Sequence, residues 1–113
     1  MSCRVLKKAL KKGLTASTAN WICELAKSLG VDEDKLFKSI LRLSKSGVWL
    51  EEEDWRQVAS SIDLQRHIDA VVDYVLRRVA SGVDPSQAVR EIPDSVRRAN
   101  KFLHIREVLS NFF

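Results

Sequence analysis

Between Leu25 and Val48 the chain reads LAKSLGVDEDKLFKSILRLSKSGV, a stretch whose spacing dictates its local structure. Leu36, Ile40 and Leu43 recur at i, i+4 and i+7, one face of a helix. Leu25 and Ala26 take the inner side of a helix before it. Gly30 supplies the left-handed residue that ends that first helix. Asp32 is a good N-cap for the second, and Glu33 and Asp34 fall in its first turn, where the helix dipole favours acids. Gly47 closes it. The rest of the chain agrees, with only two prolines and four glycines and long runs of helix formers. The expected fold class is all-α, a compact multi-helix bundle containing a helix-turn-helix. The 113 residues form one expected domain, 1–113. At that size about two-thirds of the unfolded surface can be buried. A hydrophobic fraction of 45% with 30% charged residues describes a globular chain rather than a disordered one.

Two short helices joined by a glycine-containing turn, over residues 17–47, have the pattern of a helix-turn-helix. The spacing resembles that of winged-helix and related DNA-binding domains. Those commonly read LA-x-x-LGV, then apolar residues roughly six, ten and thirteen positions after the glycine, then a second closing glycine. The matching residues here are Ala26, Gly30, Val31, Leu36, Ile40, Leu43 and Gly47, and the match covers about a fifth of the chain. The resemblance implies a DNA-binding fold with Glu33 to Lys45 as recognition helix. Two features depart from it. The segment VWLEEEDWRQVA after Gly47 is too short and too helix-like for a β-wing. The recognition helix also opens on Asp32-Glu33-Asp34, an acidic tip that repels phosphate.

The other side of the same helix is basic. At 100° per residue, Lys35, Lys38, Arg42 and Lys45 fall within an arc of roughly 80°. Leu36, Phe37, Ile40, Leu41 and Leu43 take the complementary side. No acid intervenes between Lys35 and Lys45. The stripe is either a solvated face or a surface for DNA phosphates.

Charge is unevenly placed along the chain. Residues 1–23 carry Arg4, Lys7, Lys8, Lys11 and Lys12 and no acid, whereas the remainder carries 14 basic and 15 acidic groups. All of the net charge of +4 therefore sits at one end. Residues 3–13 read as a basic amphipathic helix, with Cys3, Leu6, Leu10, Leu14, Val5 and Ala9 inside and the five cations outside. Such a helix can lie along the DNA backbone, bind an acidic membrane surface or act as a cleavable targeting segment. It can also be a first core helix with a wet outer face.

Thr15 to Thr18 can cap the following helix, which carries Trp21, Ile22 and Leu25 inward. After Gly47, Val48-Trp49-Leu50 reads as an apolar linker packed on the bundle. Residues 51–112 complete the expected helical bundle. Glu51, Glu52, Glu53 and Asp54 open a short helix with Trp55, Val58 and Ala59 inside. Consecutive helical positions point to different sides, so these acids cannot converge on one ion. Their expected roles are helix N-terminal charge and contact with the basic surface of a second copy. Asp63 starts the longest helix, to about Ser81, with Leu64, Ile68, Val71, Val75 and Val79 in a continuous stripe for the core or a dimer seam. Asp84-Pro85-Ser86-Gln87 restarts a short helix to Glu91, with Gln87 placed for a capping-box contact. Ile92-Pro93-Asp94-Ser95 is expected to break and recap it. The last helix presents Arg97, Arg98 and Lys101 as a second basic contact.

The terminal REVLSNFF resembles the sliding-clamp-binding box of replication and repair proteins. Leu109, Phe112 and Phe113 match it, with Arg106 in place of the usual Gln. These side chains either insert into a partner pocket or finish the core or a dimer interface. Cys3 and Cys23 have no metal-ligand spacing and suggest a reducing compartment, with Cys23 a buried thiol. There is no apolar run of the roughly 20 residues that a membrane span needs. Few Asn, Gln, Met and Cys hint at a heat-adapted source. No Gly-rich phosphate loop, metal-ligand set or nucleophilic arrangement stands in the sequence, so neither an enzyme nor a cofactor is expected.

The expected protein is therefore a cytoplasmic, non-enzymatic homodimer that binds double-stranded DNA and needs no cofactor. Its contacts are the N-terminal helix and the Lys35/Lys38/Arg42/Lys45 stripe, with Arg97, Arg98 and Lys101 as a second patch. The role is that of a small regulator or of an architectural or packaging protein, on a nucleoid or in a viral nucleocapsid. The alternative is a helical protein-interaction module or accessory subunit.

Overall fold

The computed structural model describes residues 4–99, with side chains described as far as Pro93. Six helices follow one another: α1 (Leu6–Lys11), α2 (Ala16–Leu29), α3 (Glu33–Lys45), α4 (Glu52–Ser61), α5 (Leu64–Ala80) and α6 (Pro85–Ala99). There is no strand among the described residues. The fold class is all-α, as the sequence predicts.

Local chemistry fixes the helix ends. The Thr15 hydroxyl accepts from the Thr18 N–H at 3.1 Å and starts α2. Asp32 caps α3 by accepting from the N–H groups of Asp34 and Lys35 at 3.1 and 3.2 Å. Gly47, at φ 74°, ends α3. Its N–H donates to the Ser44 carbonyl, and the Val48 N–H donates to that of Leu43. This paired closure tucks Val48 under Leu43, both buried. Glu51 caps α4, where the Asp54 carboxylate accepts from the Glu51 N–H at 3.0 Å and from the Ser86 hydroxyl at 3.2 Å. One acid of the Glu51–Asp54 run thus ties α4 to the start of α6.

Five helices pack in a closed ring. α2 lies against α3 and α4, α3 against α5, and α6 against both α5 and α4, while α1 leans on α2. Inside sit Ile22, Leu25, Leu36, Leu43, Trp55, Val58, Val71, Val75 and Val89, all nearly or fully inaccessible. The α5 stripe is buried as expected at Leu64, Ile68, Val71 and Val75, with Val79 partly covered. A polar clamp joins α5 to α6. Tyr74 donates to Glu91 at 2.8 Å, and Arg78 grips the same carboxylate at 2.9 and 3.1 Å. Glu91 is held below its ordinary value first by the Arg78 hydrogen bond.

Four expectations need correction. α6 does not break at Ile92–Ser95 but runs through Pro93 to Ala99. Proline inside a helix forfeits one backbone hydrogen bond and costs about 3 kcal/mol. Burial of Ala88, Val89 and Ile92 and the Glu91 clamp hold the helix on the N-terminal side of that defect. Gln87 accepts from Arg90 at 3.0 Å instead of making a capping-box contact. Leu10 is 48% exposed, because α1 turns Val5 and Ala9 inward instead. Cys23 is disulfide-bonded rather than a free buried thiol, so cysteine usage no longer argues for a reducing compartment. No helix among the described residues is long and apolar enough to cross a membrane.

Tyr74 is the chain's single tyrosine, which makes the clamp directly measurable. Burial and then the neighbouring Glu91 carboxylate push its hydroxyl up to about 12. A raised value in the folded state means a contribution to stability that is complete below about pH 10, the unfolded value, and lost as pH rises further. Absorbance at 295 nm should show tyrosinate forming well above pH 10. A midpoint at the ordinary value of 10 would mean that Tyr74 is not buried in the clamp.

Candidate nucleic-acid interface

The acidic tip of α3 is occupied by the protein itself. Arg4 reaches Asp32 at 3.1 Å and Glu33 at 3.6 Å, and its backbone N–H donates to Glu33 at 3.2 Å. Lys8 reaches Asp34 at 3.0 Å. From the other flank, Gln65 of α5 accepts the Asp32 N–H at 2.7 Å. The backbone N–H of Lys35 and then the Arg4 guanidinium hold the Asp32 carboxyl below its ordinary value. Arg4 is raised in turn, chiefly by the hydrogen bond to Asp32. The tip that the sequence presents as an obstacle to phosphate is therefore the attachment point of the basic N-terminal segment.

Beyond the tip, α3 shows solvent a narrow basic face. Leu36, Phe37, Ser39, Ile40 and Leu43 are buried, and the exposed positions from Lys35 onward are Lys35, Lys38, Arg42, Ser44 and Lys45. The Lys35 ammonium donates to the Gln65 carbonyl at 3.1 Å, and Arg42 pairs with Asp73 of α5. Lys38 and Lys45 make no ion pair among the described residues. Lys38 follows Asp34 by one helical turn on the same side. Because Lys8 sits on Asp34, the α1 cations are brought to the N-terminal end of the α3 stripe. Lys7, Lys11 and Lys12 are exposed and also unpaired among the described residues.

The expected cations thus divide into three sets. Arg4, Lys8 and Arg42 are ion-paired, and Lys35 is hydrogen-bonded to a carbonyl. Lys7, Lys11, Lys12, Lys38 and Lys45 stand in solvent. Lys101, Leu109, Phe112 and Phe113 lie outside the described residues, as do the side chains of Arg97 and Arg98. Exposed ion pairs contribute little, so Lys8 and Arg42 can exchange a carboxylate for a phosphate at small cost.

One surface feature escaped the sequence reading. Val48 and Leu50 are buried, but Trp49 between them is 43% exposed and stacks on Trp21 with centroids 5.4 Å apart. The signal was present in the alternation, since neighbours in an extended segment point to opposite sides. Neither a known protein family, nor a curated protein, nor a solved structure matches the chain.

The tip has a distinctive acid response. A carboxyl depressed in the folded state stabilises above its ordinary value of 3.8 and loses that contribution as pH falls through the folded value. Asp32→Asn keeps a capping oxygen and removes the titrating charge. Its melting temperature should fall less steeply than that of the parent between about pH 5 and pH 2. Parallel curves would mean that Asp32 titrates as a free carboxyl.

Proposed function

We propose that this chain is a non-enzymatic protein that binds double-stranded DNA through its phosphates, in an architectural or packaging role. The observation that carries the reading is the exposed face of α3, where Lys35, Lys38, Arg42 and Lys45 stand without an intervening acid. Phosphate contact needs only such a surface, and each contact releases condensed counterions. The α1 cations extend the surface at its N-terminal end. Base reading by a recognition helix normally uses the helix's first residues. Here those residues are held by Arg4, Lys8 and Gln65, which favours backbone contact over sequence readout. Such a protein works where DNA is packed, on a nucleoid or inside a virion.

Fluorescence anisotropy on a random duplex over a range of salt tests this reading. Log affinity should fall linearly with log salt. Lys38→Ala with Lys45→Ala should leave the fold intact and reduce that slope by about 2. An unchanged slope would remove α3 from the interface, and no binding at low salt would remove DNA altogether. A large preference for one duplex sequence would indicate a site-specific regulator instead.

A further inference from the structure

Leu10 and Trp49 are the exposed large hydrophobic residues among those described, and the exposed charges near them in the chain are of opposite sign. Leu10 has Lys7 one turn before it on α1 and Lys11 next to it, both exposed. Trp49 rests on Trp21, and Glu24 lies one turn beyond Trp21 on the same side of α2. From Trp49 the chain runs through Leu50 into α4, where Glu51 caps the helix and Glu52 pairs with Arg56 at 3.0 Å, leaving Glu53 exposed and unpaired among the described residues. Glu24 and Glu53, like Lys7, Lys11 and Lys12, find no ion-pair partner among the described residues. The two patches therefore do not satisfy each other within one copy.

We infer that the chain self-associates, the Leu10 patch of one copy docking on the Trp21–Trp49 patch of another. The second copy is the occupant that the charges specify, an apolar anchor with Lys7 and Lys11 beside it against an aromatic platform with Glu24 and Glu53 nearby in the chain. Apolar contact at the centre supplies affinity and the opposed charges set the register. The contact draws on α1 lysines that also extend the proposed DNA surface, so self-association and DNA compete for them. The inference stands independently of DNA binding.

Sedimentation velocity at low salt over a wide concentration range reads it directly. The parent protein should associate as its concentration rises, and added salt should weaken that association. Glu24→Lys with Glu53→Lys should weaken it about tenfold or more, as should Lys7→Glu with Lys11→Glu. Mixing the two charge-reversed proteins should restore it, because each then offers the complement that the other lacks. Trp49→Ala should abolish it, while Trp49→Phe should retain part. A parent that stays monomeric throughout overturns the inference, as does association indifferent to these changes. If the monomer's exposed tryptophan emission responds instead to added oligonucleotide, the patch belongs to nucleic acid and the inference also fails.

Discussion

The first turn of α3 holds the arrangement together. Asp32 caps the helix, Arg4 and Lys8 fasten the N-terminal segment to it, and Gln65 brings in α5. Acids at a helix N-terminus are already favoured by the dipole. Here the same acids recruit cations from elsewhere in the chain. Each exposed pair alone is weak, but they converge on one helix end and orient α1 relative to α3. That orientation sets which cations remain available at the surface.

The packing of α3 on α5 shapes the remaining charge. Lys35 and Arg42 are steadied by Gln65 and Asp73, so less side-chain freedom is lost when they meet a ligand. Arg42 has five N–H donors and can keep its carboxylate while offering others. Lys38 and Lys45 stand exposed, with no ion pair among the described residues. The same ring of helices that buries Leu36, Ile40 and Leu43 thereby lines up a basic face opposite. A surface of this kind suits the repeating, sequence-independent charge of a DNA backbone.

Much of the fold was legible in local sequence. Gly30, Gly47, Thr15 and Asp32 end or start helices where their chemistry says they should. The α5 stripe and the basic arc of α3 follow from helical period alone. What local sequence does not carry is contact between distant residues. Arg4 with Asp32 and Arg42 with Asp73 are decided by how helices pack, which period cannot reveal. Pro93 reads locally as a breaker, whereas α6 runs on through it from a turn anchored by the buried Val89 and Ile92. Leu10 misleads for a related reason, since Val5 and the small Ala9 are what α1 turns inward.

Backbone amide shifts of the isotope-labelled protein, followed by NMR as a random duplex is added, test most directly whether α3 carries DNA. If it does, the amides from Lys35 to Lys45 and those of the α1 lysines move together and saturate together. Those of the buried α5–α6 clamp, around Tyr74 and Glu91, stay in place. Shifts confined to other helices, with the α3 amides unmoved, would contradict the assignment of the basic face.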